Sequence, residues 1–454
     1  MKLGDNHGGD LEQGSLRRGF AAAQCGKALP FRAETSPGLE ATPPTFRGTA
    51  SKGASGREAF PHCAAPKLRD DSSIDSSKSP KLRLLVVGPS LDILGGQAVQ
   101  AERLIKRLQE EPSLEVGFLP INPRLPGLLR KLQAIKYVRT LVTSIWYVAS
   151  LLSRVRRYDV IHIFSASYFS FVLAPTPAIL IARLYGKKIV LNYHSGEATD
   201  HLERWPSAIK TLKLADQIAV PSEYLVQVFS HFGLRAKAIY NTIETGVFHF
   251  RARPRLDLRF LSNRNLEAHY GVDCVLRAFA LIQQRHPQAS LTVAGDGSQR
   301  RRLEELAAEL QLKNIEFKGL VNHASVVELY DAADIYLNGS LIDNQPLSLL
   351  EAFACGLPVV STNAGGIPDI VSHERTGLLV DCGNYRGMAE AALRLLADEG
   401  LTQRIITQAR EECRKYSWAA VRDQWLELYE GPGLTGVKSS SFSLCAYEGT
   451  QSKD

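Results

Sequence analysis

Between Asn338 and Gly366 the sequence runs loop, helix, strand and loop, with each boundary marked by a residue suited to it. Pro346 suits the first turn of a helix, Gly356 suits its left-handed end, and Pro358 blocks any continuation, after which Val359 and Val360 open a buried strand. At about 100° per residue, Leu347, Leu349, Leu350, Phe353 and Ala354 share one apolar arc, with Glu351 at its edge. Asp343 stands eight residues before Glu351, in the loop that enters the helix, so both carboxylates face whatever sits over the helix N-terminus. The free amides there, those of Leu347 and Ser348, carry partial positive charge and favour a phosphate or another anion. The same letters also spell a capping box, Ser348-x-x-Glu351, in which Glu351 only caps its own helix and Asp343 is a solvated turn acid. From this stretch alone both readings stand.

Upstream, strand and helix patterns alternate. Residues 81–88 form a first buried strand, and Gly95, Gly96 and Gln97 precede a helical pattern from Ala98 to Leu108. Strand, glycine-rich loop and helix make a geometry in which backbone amides approach an anion, although a Gly-Gly pair is often only a tight turn. The spelling is neither G-x-G-x-x-G nor a Walker loop, so neither a nicotinamide cofactor nor a kinase-type nucleotide is supported. A strand over residues 188–193 exits at His194, and one from Leu258 exits at Arg264. Open parallel sheets carry their active groups at such carboxyl ends. His194 there tips towards a cleft rather than a structural role, and the Arg264 fork suits a diphosphate, though strand-end arginines are often merely solvated. The repeated β–α alternation defines an α/β protein with parallel, doubly wound sheets.

At 454 residues, 44% hydrophobic and 22% charged, the chain has the size and composition of two ordinary globular domains with tails. Residues 1–80 are rich in Gly, Ser, Pro and Ala without sustained periodicity and are expected to be disordered, and residues 431–454 form a Gly/Ser tail expected to be flexible. The seven cysteines are scattered, odd in number and free of C-x-x-C spacing, which disfavours a disulfide framework or zinc site and favours a reducing compartment. The N-terminus lacks the apolar core of a signal peptide, so a cytoplasmic location is expected. Residues 160–182 are uncharged and long enough to span a bilayer, but His162, several serines, Pro175 and Pro177 divide them into a strand and a helix over 178–184.

The net charge of +7 matters less than where it sits. No acid occurs between Glu115 and Asp159, while Arg124, Arg130, Lys131, Lys136, Arg139, Arg154, Arg156 and Arg157 are interspersed with aliphatic residues, Trp146 and Tyr147. A basic amphipathic stretch over 124–157 with an exposed aromatic suits the surface of an anionic membrane, peripheral on its cytoplasmic face; the alternative is a buried helix with capped ends. Nucleic acid is not an expected partner.

Acid, seven residues, acid, then Ala-Phe-Ala-Cys-Gly-x-Pro-Val-Val and Gly-Gly-x-Pro resembles the donor-site signature of the retaining GT-B glycosyltransferases of family 4. The resemblance is specific from Asn338 to Gly377 and looser towards the N-terminus. It implies two Rossmann-like domains facing a cleft, an acceptor domain over 81–250 and a nucleotide-sugar domain over 251–415, with a helix at 416–430 crossing back. It further implies sugar transfer from a nucleotide-diphosphate donor to an acceptor hydroxyl, with retention and with neither metal nor cofactor. A glycan or lipid-linked acceptor is suggested by the basic segment, since family members that use lipid-linked acceptors dock through this part of the N-terminal domain. Arg264, Gly95, Gly96 and the amides of Leu347 and Ser348 would meet the diphosphate. Asn344 would join the donor site, Glu351 would meet the ribose, Asp343 the transferred sugar, and His194 would orient that sugar from the other domain. Two letters depart from the pattern. Asp343 replaces the usual Glu, and the usual Lys after Arg264 is absent, with His269 and Tyr270 standing before Gly271. A nucleotide-sugar epimerase, a phosphorylase, or an idle sugar-nucleotide-binding scaffold are the alternatives.

Overall fold

A computed structural model describes residues 81–90, 96–123, 125, 133, 135–165, 167–244 and 246–430. The expected tails, Gly95, Arg124, Arg130, Lys131 and the side chain of Lys136 lie outside the described residues.

The first lobe contains β1 (Leu82–Gly88), α1 (Gly96–Gln109), β2 (Leu114–Pro120), α2 (Lys136–Arg154), β3 (Val160–Ser165), α3 (Tyr168–Leu173), α4 (Pro175–Leu184) and β4 (Lys188–Tyr193). It continues through α5 (Ala198–Arg204), α6 (Pro206–Leu212), β5 (Gln217–Val220), α7 (Glu223–His231) and β6 (Lys237–Ala238). Its strands pair in parallel in the order β2-β1-β3-β4-β5-β6. Leu84, Leu85, Val86 and Val87 are all fully buried, because helices cover both faces and successive side chains of one strand enter different cores.

The second lobe contains β7 (Arg259–Asn263), α8 (Val272–Arg285), β8 (Ser290–Ala294), α9 (Arg300–Glu309), β9 (Ile315–Gly319), α10 (His323–Ala332) and β10 (Ile335–Asn338). Then follow α11 (Leu347–Ala354), β11 (Val359–Thr362), β12 (Leu378–Val380), α12 (Tyr385–Ala397) and α13 (Glu399–Glu412). The order β12-β11-β10-β7-β8-β9 is again all parallel. Two doubly wound sheets with this arrangement are the GT-B architecture that the sequence leads one to expect.

A last helix, α14 (Trp418–Glu430), leaves the second lobe and buries Val421, Trp425, Leu426, Leu428 and Tyr429 in the core beneath β1 and β3. Arg422 clamps it to Glu111 through two bonds of 2.7 and 2.6 Å, which holds the Glu111 carboxyl below its usual range. Tyr429 Oη lies 2.9 Å from His162 Nδ1, and Asn192 Nδ2 lies 3.3 Å from the other ring nitrogen.

Some elements differ from the sequence reading. β2 and α13 were not anticipated: β2 is an edge strand with Glu115 exposed and no clean apolar run, and α13 opens on Glu399-Gly400 behind a cap in which Asp398 accepts from the Leu401 amide at 2.8 Å. The helix expected over 178–184 begins at Pro175, whose missing N–H costs nothing in a first turn.

Three histidines of the first lobe are held neutral by burial, His162 pushed down to about 3 and His194 and His201 to about 4. In the unfolded chain each binds a proton below about pH 6.5. Between that value and the depressed ones the unfolded chain therefore binds more protons, and stability falls as pH drops. The Tm is expected to be flat from pH 8 to 7 and to decline steadily between about pH 6.5 and 4.5, as read by scanning fluorimetry; a flat profile through that window contradicts the histidine burial.

Candidate active site

A cleft of about 570 Å³ lies between the two sheets. Gly96, Gln97, Ser167, His194 and Ser195 line it from the first lobe, and Arg264, Tyr270, residues 343–348 and Glu351 from the second. Each group follows the carboxyl end of a strand: α1 comes after β1, His194 after β4, Arg264 after β7, and the Asp343 loop after β10. A parallel sheet delivers its loops to one edge, which is how distant positions meet here.

The Asp343 loop rests on glycines. A Cβ on Gly365, whose φ is +51°, would lie 2.1 Å from the Asp343 carbonyl oxygen, and one on Gly366 would lie 2.3 Å from that of Asn344. The Gly366 amide donates to the Asp343 carbonyl at 3.0 Å, and Thr362 Oγ1 donates to the Ser340 carbonyl at 2.5 Å. The Gly-Gly tail of the signature is thus the floor on which the acid-bearing loop sits.

On that loop the Asp343 carboxylate accepts from the Asn344 amide at 2.9 Å, from Ser340 Oγ at 3.2 Å and from the guanidinium of Arg264. Arg264 also donates to Ser348 Oγ at 3.2 Å, and its guanidinium carbon stands 4.2 Å from the centroid of the Tyr270 ring. Asn344 Nδ2 donates across the cleft to the His194 carbonyl at 2.9 Å.

Helix α11 is capped by Pro346 with no side-chain hydrogen bond, and Ser348 is its second residue rather than its cap. The capping box therefore does not form. Leu347 and Ser348 supply first-turn amides with no preceding turn to accept them, and both residues line the cleft. Glu351 is 7% exposed yet borders the cleft; it accepts from Tyr330 Oη at 2.9 Å, and Arg103 Nη2 lies 3.6 Å from its other oxygen. Burial and the Glu351 charge hold the Tyr330 phenol well above its ordinary range, so it stays a donor. The His194 ring stacks on Phe164 at 5.4 Å, and its Nε2 is buried with no hydrogen-bond partner among the described residues.

Asp343, His194, Gly96, Arg264, Asn344, Leu347, Ser348 and Glu351 thus converge on one cleft. Arg103 was not among the residues expected. It is 4% exposed on α1 and donates to the Thr242 carbonyl at 3.2 Å, where Gln100 also donates at 3.0 Å. Gly96, Gln100 and Arg103, spaced by four and three, share a helix face, and that spacing was the available signal.

Residues 251–412 match the family model described as Glycosyl transferases group 1, and residues 94–247 match the model of Glycosyltransferase Family 4. Both lobes therefore carry glycosyltransferase domains in a GT-B arrangement. An uncharacterized glycosyltransferase of Methanocaldococcus jannaschii is 33% identical over 162 residues, covering 35% of this chain and 41% of that protein. Glycogen synthase of Mycobacterium tuberculosis is 27% identical over 274 residues, covering 57% and 66%. The chain thus spans less than two thirds of the length of these relatives. Among solved structures, sucrose-phosphate synthase of Thermosynechococcus elongatus superposes with TM-score 0.64 at 20% identity, over 77% of this chain and 98% of that one. HepE of Anabaena in complex with UDP-glucose does so with TM-score 0.60 at 18%, over 76% and 98%.

A methyl group on the glycine floor tests the geometry. Gly366→Ala is expected to cost about 1–3 kcal/mol by overpacking, as its Cβ meets the Asn344 carbonyl oxygen. Urea denaturation of the variant beside the wild type checks it, and an unchanged stability contradicts the glycine floor.

Proposed function

We propose that the protein is a retaining, metal-independent glycosyltransferase that moves a sugar from a nucleotide-diphosphate donor to an acceptor hydroxyl. The observation that carries this is the half-hidden Arg264–Asp343 ion pair, with side chains 10% and 12% exposed, set beside the amide-bearing start of α11 inside the cleft. A guanidinium and a helix tip aimed at one volume suit a diphosphate, whose oxygens replace the carboxylate on Arg264. Glu351, already oriented by Tyr330, accepts from the ribose hydroxyls.

Freed from Arg264, Asp343 meets the transferred sugar near its reacting carbon, where a carboxylate offsets developing positive charge. His194, neutral at pH 7 because burial holds it at about 4, orients the sugar as a hydrogen-bonding group and not as a cation. No carboxylate is assigned as a covalent nucleophile. In our reading the bond from the anomeric carbon to the phosphate oxygen breaks, and the acceptor oxygen bonds to the same face. The departing phosphate takes the acceptor's proton. HepE is seen in complex with UDP and with UDP-glucose, which makes UDP-sugars the first donors to try.

A thermal-shift screen of UDP-, GDP- and ADP-sugars should raise the Tm with one class. With that donor and an acceptor panel, Asp343→Ala and Glu351→Ala are each expected to lower kcat/KM by about 100-fold or more. Wild-type rates in both variants would refute the assignment, and conversion of donor alone would indicate an epimerase.

The acceptor belongs to the same proposal. Trp146, Leu141, Ile145 and Leu152 are exposed on α2, and Leu180 and Leu184 on α4, which packs against it. Tyr147, in contrast, is core, donating to the Ala174 carbonyl at 3.0 Å. Arg139, Arg156 and Arg157 are exposed along α2 and just beyond it, with no acid from 116 to 158. We propose an anionic lipid surface as the occupant, and with it a lipid-linked or polysaccharide acceptor. Among the described residues no helix is long and apolar enough to cross a membrane, so the contact is peripheral in this reading. Co-sedimentation should be strong with phosphatidylserine vesicles, fall with added salt, and drop about tenfold in Ile145→Glu. Equal binding to neutral vesicles would remove the lipid surface from the proposal.

A further inference from the structure

Tyr270 borders the cleft but takes no part in the transfer proposed so far. Tyr270 stands just before Gly271, whose φ of +55° and contact with Gly339 fix the turn: a Cβ on Gly271 would lie 1.9 Å from the Gly339 carbonyl oxygen, and one on Gly339 2.2 Å from that of Gly271. The amides of Leu341 and Ile342 both donate to the His269 carbonyl, at 2.8 and 3.3 Å. The turn bearing Tyr270 is thereby fastened to the loop bearing Asp343. Such a clamp fixes a side chain relative to that acid with little freedom to drift.

What the ring touches is the guanidinium of Arg264, 4.2 Å away over its face. Arg264 is therefore held on two sides. Its edge is occupied by Asp343 and by Ser348 Oγ, and its face by Tyr270. Under the proposed function the diphosphate takes the edge and Asp343 leaves it. During that exchange the edge contacts change partner, while the ring contact can persist. An arginine freed from its acid has many rotamers to explore, and a ring under its plane keeps the fork aimed.

We propose that Tyr270 is a positioning residue for the donor diphosphate, acting through its ring on Arg264. The proposal rests on the reading of the cleft as a nucleotide-diphosphate site. It also accounts for the missing lysine: the chain carries an aromatic platform under one guanidinium where a second cation was expected, so the site grips phosphate with one well-aimed charge. The phenol itself stays protonated, since burial raises it above its ordinary value, so no anion forms beneath the guanidinium at neutral pH.

The test is calorimetric titration of wild type, Tyr270→Phe, Tyr270→Leu, Arg264→Ala and the double variant Arg264→Ala/Tyr270→Leu with UDP, GDP and ADP, and with the matching monophosphate. Tyr270→Phe keeps the ring and is expected to bind the preferred diphosphate within about twofold of wild type, whereas Tyr270→Leu loses about tenfold. The loss should be small for the monophosphate and absent when Arg264 is already alanine. Should Tyr270→Leu fail to fold, Tyr270→Met serves in its place. Equal losses in the Phe and Leu variants, or additive losses in the double variant, overturn the role of Tyr270 while leaving the proposed function intact. A wild type that binds none of the three nucleotides overturns the proposed function and this inference with it.

Discussion

Burying a guanidinium near the tip of a helix is unfavourable unless something answers its charge, and in this protein the answer comes from the loop immediately before that helix. Asp343 neutralises Arg264 while Ser340 and the Asn344 amide complete the carboxylate's hydrogen bonds. A pair this shielded contributes little net stability, because desolvation offsets most of its attraction. In the proposed function its significance is that a donor diphosphate takes the carboxylate's place on Arg264. Everything around it is arranged to keep the two groups in register: glycines below the loop, the α11 hydroxyl of Ser348 beside the arginine, and the Tyr270 ring against its face.

The lobes are joined by polar contacts that converge on the same region. The amide of Asn241, in the connecting segment, donates to Gln345 Oε1 at 2.6 Å, and Gln100 exchanges two hydrogen bonds with Thr242. Arg103 brings a first-lobe cation towards Glu351 of the second, at 3.6 Å. Helix α14 returns from the second lobe to the first, its Trp425 beside Gln100 and Thr242, so that the chain joins the lobes at two places. Two attachments restrict the relative motions open to the lobes, and the contacts at Asn344, Gln345 and Glu351 make the geometry of the cleft depend on that restriction.

Much of this was legible in the sequence wherever a residue type has a narrow range of uses. Pro346, Gly356 and Pro358 bracket α11 because each is incompatible with continuing what precedes it. Arg264 and His194 could be placed at strand exits because buried parallel strands read as apolar runs with sharp ends. Elsewhere the letters were neutral. β2 pairs on one side only and need not be apolar throughout, and α13 hides behind a glycine. The capping-box spelling could be resolved only by coordinates, since a two-residue shift in where α11 begins decides whether Ser348 caps the helix or lies in its first turn. Arg103 was missed because a basic residue on an amphipathic helix is ordinarily solvated, and only the packing of the lobes shows it buried.

The two lobes come close together beside position 343. A Cβ on Gly196, in the loop after β4, would lie 3.2 Å from Ile342 Cγ2 and 3.5 Å from Asp343 Cα. The loops that carry His194 and Asp343 are therefore in van der Waals contact, and Asn344 ties them together through the His194 carbonyl. The Asp343 carboxylate itself is turned away from that contact, onto Arg264 and Ser340 of its own lobe. The backbone of the loop therefore meets the first lobe while its charge stays answered within the second, so the lobes can close on each other here without disturbing the ion pair.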